Sequence, residues 1–397
     1  MNEADLGPVT LTVARHDTFD PPPELSLWRQ EAPLRRMTYA DGHLGWLATG
    51  HSAVRSILAD NRFSTRIELQ HPALPYMIKQ RAIPLPPGFF LRMDPPDHTR
   101  LRRLLTGQFT VRRMRQLEPR IEKIVAERLD EMERQGPPAD LVSAFALPIP
   151  SLVICELLGV PYTDHDRFQH DSAVIVSREE SEQRKIEALA DLFSYLHELV
   201  LSKRAKPTDD LLGGLAESDE LTDEEITGIA LLLLVAGHET TANMIALGTY
   251  ALLCNPPQLA ALRADPSLAA GAAEELLRYL TIVDFTTRGA LEDVEIEGQT
   301  IRAGETVTLS LPAANRDPER FEEADDFDVS RQASGHLSFG HGIHQCLGQQ
   351  LARNEMRIAI PALLERLPGL RLAVPEEEVP MRSAMAIYGV HRLPVTW

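Results

Sequence analysis

One stretch of the chain concentrates unusual chemistry: Phe339-Gly340-His341-Gly342-Ile343-His344-Gln345-Cys346-Leu347-Gly348. Three glycines surround a single cysteine just ahead of a helix-forming run. A helix N-terminus lowers a thiol pKa, and its free amides can donate to a thiolate sulfur. Gly340, Gly342 and Gly348 let the backbone come close to something flat and bulky. Phe339 is placed to shield the sulfur from water. The bland alternative is a glycine-rich turn with an incidental buried cysteine. Phe, three glycines, His and Cys in one register argue against it.

A second stretch, Ala236-Gly237-His238-Glu239-Thr240-Thr241, puts polar residues in the middle of a long apolar run. Polar groups in a buried helix need a reason. One reason is a satisfied kink at Gly237; the other is chemistry by Glu239 and Thr240. Glu275-Leu276-Leu277-Arg278 places opposite charges three apart on one helix face. His98 and Arg102 share a face in the same way. Residues 100 to 120 hold seven arginines (Arg100, Arg102, Arg103, Arg112, Arg113, Arg115 and Arg120) against one acid, Glu118.

The elements that must position these groups are mostly helices. Thr222-Asp223-Glu224-Glu225 reads as a capping box that opens a helix to about Leu253. At 1.5 Å per residue it spans roughly 45 Å and, being apolar nearly all round, should cross the interior. Further helices are expected over 51 to 60, 97 to 132, 140 to 159, 183 to 204 and 268 to 280. A last one should start after Cys346 and run to about Leu367. Residues 34 to 50 read as a hairpin turning at Asp41-Gly42, and 294 to 311 alternate like strands. Between 71 and 90 a proline-rich apolar stretch has no clean period. A long irregular loop in a compact enzyme is often a binding element. Residues 312 to 345 read mostly as loop.

Composition narrows the classes. The 397 residues are 44% hydrophobic and carry a net charge of −18. That charge argues against nucleic acid and against an anionic membrane surface as partners. The three cysteines, Cys155, Cys254 and Cys346, are odd in number and widely spaced, so neither a disulfide framework nor a zinc site is expected. Cys155 and Cys254 sit in apolar stretches and read as buried structural thiols. The first residues lack a signal-peptide pattern. The longest strongly apolar run, Ile229 to Gly237, falls well short of the roughly twenty residues of a membrane span. The expectation is a cytoplasmic protein without a membrane anchor.

The stretch 339 to 348 resembles the haem-binding signature of the cytochrome P-450 family, FGxGxHxCxG, at every specified position. The resemblance runs from about residue 20 to the end and is closest in texture to the soluble actinobacterial members. It implies a mainly α fold: one large helical domain over 1-397 with a smaller β-rich region. It divides into a β-rich N-terminal part at about 20-60, a helical core at about 90-290, and a β and meander region at 291-338. The thiolate loop and its helix complete the chain, with haem lying between that helix and the long central one. The resemblance implies haem b, iron protoporphyrin IX, with Cys346 as the iron's axial ligand. Phe339, Gly340 and Gly348 shape that loop. His98, Arg102, Arg288 and His344 match the positions that bind the haem propionates, and arginine's forked donors suit a carboxylate. Ala236-Gly237-His238-Glu239-Thr240 matches the oxygen-activation motif. There Ala236 and Gly237 leave room for dioxygen, Thr240 hydrogen-bonds it, and Glu239 relays protons. Asp317-Pro318-Glu319-Arg320-Phe321 resembles the family's second arginine motif, so Glu275, Arg278 and Arg320 are expected to form a buried ionic triad under the loop.

The function that the resemblance implies is that of a monooxygenase, inserting one oxygen atom from O2 into a hydrophobic small molecule. The resemblance points to a secondary metabolite such as a macrolide, another polyketide or a terpenoid. NAD(P)H electrons are expected through a separate ferredoxin and ferredoxin reductase. The patch around Arg103, Arg112, Arg113 and Arg115 is the expected dock for an acidic ferredoxin. The protein is expected to be a monomer. Expected pocket residues are Met77, Phe89, Phe90, Val235, Ile282, Val283, Phe285, Met385 and Ile387. A peroxide-driven peroxygenase is the first alternative, and the Glu239-Thr240 pair argues against it. A non-catalytic haem sensor or carrier is the second.

Overall fold

The computed structural model describes residues 7–80, 85–164, 170–171, 174, 180–382 and 387–397. Helices dominate, and their largest shared core is organised around the helix Asp223–Leu253. Its capping box is present: the Thr222 hydroxyl accepts from Glu225 N, and Glu225 accepts from Thr222 N. The helix has 31 residues, about 46 Å of axis. It is long and apolar enough to cross a bilayer. Here its apolar surface lies in the protein core, with Ile226 to Leu234 and Thr241 to Leu252 buried. The stretch between them differs: Val235 and Ala236 are exposed and Gly237 is half-buried.

Ten strands are described: β1 (Leu34–Thr38), β2 (Leu44–Ala48), β3 (Phe63–Ser64), β4 (Ala139–Asp140), β5 (Phe285–Ala290), β6 (Val294–Ile296), β7 (Gln299–Ile301), β8 (Thr306–Ser310), β9 (Arg371–Leu372) and β10 (Pro394–Thr396). The β1–β2 hairpin turns at Asp41-Gly42, where Gly42 takes φ +85°. The main sheet runs β1-β2-β8-β5-β3. Thus the N-terminal strands pair with strands from 285 to 310, and the β region is built from both parts of the chain. β2 lies parallel to β8, with Trp46 opposite Val307. Strand β5 falls inside the segment expected to be helical; the helix before it stops at Leu280, where Thr281 takes φ +33°.

The expected helix over 97 to 132 is two: Asp97–Thr106 and Val111–Gln135. Thr110 breaks them, its hydroxyl accepting from Arg113 N as an N-cap. Residues 140 to 159 start with a wide turn at Val142–Ala146 before the helix Pro148–Leu158. The described parts of the stretch from 71 to 90, residues 71–80 and 85–90, are largely irregular, with a short helix at Met77–Gln80. The far end of the stretch packs on the start of the central helix. A Cβ on Gly228 would lie 1.8 Å from Pro87 O, and one on Gly88, at φ +86°, 2.1 Å from Glu225 O. Both contacts need glycine, and together they fix where this loop meets the helix.

Candidate active site

The cysteine loop is held by its own backbone. Cys346 N donates to Phe339 O (2.8 Å), Gly340 N to Leu337 O (2.8 Å) and Gln345 N to Gly342 O (3.0 Å). Gly342, at φ +74°, passes so close to the helix His51–Ala59 that a Cβ would sit 2.4 Å from Leu58 O. Phe339 lies between the His336 ring and the Arg353 guanidinium, which is 4.6 Å from its centroid. The helix Gln349–Arg366 comes next, with Gly348 as its cap residue. Amides of Gly348 and Gln349 reach the Cys346 sulfur, and Arg102 and Arg353 add positive charge. These favour the thiolate, as the sequence suggests. Burial nevertheless outweighs them and pushes the thiol up from its ordinary value.

A buried ionic network supports this loop. Arg278 donates bidentately to Glu275, through Nε to Oε2 (2.7 Å) and Nη2 to Oε1 (2.8 Å). Its other donors reach Asn315 O (2.9 Å), Ala324 O (2.7 Å) and Asp326 O (3.0 Å). All five guanidinium N–H groups are therefore satisfied. The second arginine on Glu275 is Arg331, not Arg320. Arg331 Nε donates to Oε1 at 3.2 Å. Arg320 is exposed and donates to Ser334 O (2.7 Å). The expected motif, residues 317 to 321, instead turns Asp317 inward, where it accepts from His51 N (2.8 Å). From Arg278 the network runs on through Asn315, whose side chain accepts from Leu337 N (2.7 Å) and donates to Ser338 Oγ (2.9 Å). Leu337 and Ser338 lead directly into Phe339.

Next to the loop, the structure brings together the four groups expected to bind carboxylates. The His98 and His344 rings lie 4.1 Å apart, and Arg102 Nη2 donates to Gln345 O (2.5 Å). Arg288 is buried on β5, its pKa lowered to about 10 by burial and by Arg92. His344 is lowered to about 3 by burial and by His98, Arg288, Arg102 and Arg92. Arg92 is a fifth member that sequence reasoning missed; a lone arginine in FFLRMDPP carries no periodic signal. The nearby acid is Asp94, which already accepts from Thr65 N (3.0 Å) and Ser64 Oγ (2.5 Å). Both ring nitrogens of His98 are buried without a hydrogen-bond partner. Like charges and orphaned nitrogens gathered away from water are costly unless an anion joins them. The donor set fits a group carrying two carboxylates beside a sulfur ligand, as haem b does.

On the central helix, the Thr240 hydroxyl donates to Ala236 O (2.7 Å) and Asn243 Nδ2 to Glu239 O (2.9 Å). The helix continues unbroken past Gly237. His238 points into the core, its Nε2 lacks a partner, and burial lowers its pKa to about 4, so it is neutral. Glu239 pairs with Arg382 from the C-terminal segment.

Several expected pocket residues are placed differently. A side chain facing a cavity wide enough for substrate keeps accessible surface. Phe90 and Ile282 do not: both are buried in the main core. Met77 and Phe285 pack against the N-terminal core cluster. Val235 is 37% exposed. Phe89, Val283 and Ile387 are only partly buried, and Val283 bridges Ile387. Met385 lies outside the described residues. The arginine patch is also less uniform than expected. Arg100, Arg103, Arg113 and Arg120 pair with Glu225, Glu220, Asp209 and Glu156. Arg102 turns inward. Arg112 and Arg115 are exposed, with no ion pair among the described residues.

Of the other cysteines, Cys155 is buried and its thiol is raised by that burial, while Cys254 is half-buried and raised to about 12. Neither is a nucleophile in this setting.

Comparison with known proteins agrees with this geometry. The family model described as Cytochrome P-450 matches residues 165–386. Cytochrome P-450 105C1 of Streptomyces sp is 54% identical over 98% of this chain and 99% of its own. Pentalenic acid synthase of Streptomyces avermitilis is 47% identical over 98% of each. Among solved structures, cytochrome P-450 MoxA from Nonomuraea recticatena superposes with a TM-score of 0.92 at 45% identity, covering 98% of both chains. CYP105P1 in complex with filipin I gives 0.90 at 43%, covering 98% of this chain and 99% of that one. With its cysteine loop, cationic cluster and central helix in one fold, the chain belongs to the cytochrome P-450 family and is a monooxygenase.

Proposed function

We propose that this monooxygenase binds haem b through the Cys346 thiolate and oxidises a hydrophobic secondary metabolite. The observation that carries the cofactor assignment is the cationic cluster beside the cysteine loop. Arg92, His98, Arg102, Arg288 and His344 would hold the two propionates. When bound, the haem iron supplies the oxygen-activating chemistry, with the thiolate donating electron density to it. The chain supplies the rest. Phe339 and the amides of Gly348 and Gln349 shield and hydrogen-bond the sulfur. Glu239 accepts protons from solvent and passes them to the Thr240 hydroxyl. That hydroxyl is parked on Ala236 O and is free to turn, because a hydroxyl rotor moves at little cost.

The substrate side rests on chemistry and on relatives. Met77, Phe89, Val235, Val283, Phe285 and Ile387 are the apolar residues that retain accessible surface among those expected at the pocket and described, and an apolar wall selects an apolar ligand. Of the similar proteins, one is named for pentalenic acid and one was solved in complex with filipin I. Electrons come from a ferredoxin and its NAD(P)H-dependent reductase, with Arg112 and Arg115 as the exposed docking charges. We further place the enzyme in the cytoplasm as a monomer.

The test of ligation is the reduced carbon monoxide adduct of the purified holoprotein. A thiolate-type spectrum, lost in Cys346→Ser, is expected; a His-ligated spectrum overturns the assignment. The carboxylate cage has its own readout. Transfer of haem to an acceptor protein should be about ten-fold faster in Arg92→Ala and in Arg288→Ala, the scale of one charge-assisted contact. Unchanged transfer in both removes these residues from the site. Spin-state shifts against a panel of macrolide and terpenoid scaffolds then rank substrates.

A further inference from the structure

Glu239 is tethered across the fold. Its Oε1 accepts from Arg382 Nη2, linking the middle of the central helix to a segment 143 residues later. The two side chains are 16% and 11% exposed, so both charges are largely out of water. Arg382 is itself fixed. Its N donates to Gly389 O (2.8 Å), and Tyr388 N donates to Ile282 O (2.8 Å). Gly389 presses on the same helical turn: a Cβ there would lie 2.0 Å from Asn243 Oδ1. Asn243 in turn donates to Glu239 O. The C-terminal segment therefore grips the Glu239 turn twice, by backbone against Asn243 and by charge against Glu239.

A glutamate side chain has three torsions and, unpaired in a half-buried position, would spread over several rotamers or neutralise. The neighbouring buried group on the same turn, His238, is neutral and cannot replace the missing charge. We infer that Arg382 is a positioning residue for proton delivery. It holds one oxygen of the Glu239 carboxylate on the C-terminal segment and leaves the other to move protons between solvent and the Thr240 hydroxyl. Each transfer balances: the free carboxylate oxygen takes one proton from solvent and gives it to the Thr240 hydroxyl oxygen as that hydroxyl releases its own proton onward, so both groups end in their starting states and one solvent proton is used. This role of Arg382 rests on the Glu239–Thr240 relay proposed for the site.

The experiment uses reduced holoenzyme and dioxygen alone as the probe. Reoxidation in air and peroxide release are followed in H2O and D2O for wild type, Arg382→Ala, Arg382→Lys, Glu239→Gln and the Ala/Gln double variant. Positioning of one proton-transfer group predicts that Arg382→Ala changes the rate by about ten-fold and alters the solvent isotope effect. Arg382→Lys should recover to within about two-fold of wild type, since the charge returns without the fork. Glu239→Gln should match Arg382→Ala, and the double variant should add nothing. If Glu239→Gln differs from wild type but Arg382→Ala does not, the role of Arg382 is wrong and the relay stands. If neither differs, the relay itself is wrong. Additive effects overturn the inference too, because they place Arg382 on a separate path. Hydrogen exchange at residues 387–391 guards against a structural cause. A rate effect that tracks opening of that segment and is not restored by lysine also overturns it.

Discussion

Two carboxylate–guanidinium pairs face each other in kind across the molecule, and they are built in opposite ways. Under the cysteine loop, Glu275 and Arg278 are three residues apart on one helix and fully buried, and every arginine donor is used. On the other side, Glu239 and Arg382 come from distant segments and keep some exposure where they meet. The first pair is wired into backbone carbonyls that shape the loop around the sulfur, so neither partner can move without leaving a buried charge. The second is a tether between segments, on the group proposed to relay protons. The foundation is over-determined, and the carboxylate of the proposed relay is held by one charge pair with a little surface left exposed.

The sharpest way to break this comparison is Arg278→Ala. Removing the bidentate partner of the fully buried Glu275, which then keeps only Arg331 and Asp328 N, should cost about 3–5 kcal/mol, seen as lost thermal and urea stability. Arg382→Ala should cost clearly less, and equal losses would dissolve the distinction. Arg331→Ala should rank next at about 1–3 kcal/mol, the scale of hydrogen bonds to a charged group. Arg320→Ala, which changes an exposed side chain, should stay within about 0.5 kcal/mol. The reverse ranking would restore Arg320 to the triad.

Glu355 offers a contrast within the same region. It lies on the helix after the cysteine loop, fully buried, its Oε2 lacks a partner, and burial raises its pKa well above the ordinary range. The folded protein thus keeps this proton while the unfolded chain releases it. Its contribution to stability is full below the ordinary carboxylate pKa and declines as pH rises toward the folded value, by about 1.4 kcal/mol per pH unit. Glu355→Gln should remove that decline, so the variant gains on wild type as pH increases. Parallel pH curves of unfolding for the two proteins would contradict it. The smallest effect on stability belongs to Arg112→Glu with Arg115→Glu, within about 0.5 kcal/mol. Reduction by an acidic ferredoxin should nevertheless slow and lose its salt dependence, whereas Arg103→Glu, already paired to Glu220, should matter less.

What the sequence by itself determined is what depends on near neighbours. The capping box at Thr222, the Asp41-Gly42 hairpin, the glycine loop around Cys346 and the Glu275–Arg278 spacing are all set within a few residues. Helix geometry or turn chemistry then dictates the outcome. Tertiary structure alone decided the partners that arrive from afar. Arg331 rather than Arg320 reaches Glu275, because the meander folds back over that helix. Arg92 joins the cationic cluster from the short 3-10 turn Phe90–Arg92, which no periodic pattern marks. β5 leaves the helical segment to complete a sheet with N-terminal strands. Phe90 and Ile282 are core residues, since apolar spacing cannot tell a cavity wall from an interior. The tether on Glu239 belongs with these: a lone arginine in PMRSAMAIYGV meets an acid in the central helix only because the chain end docks there.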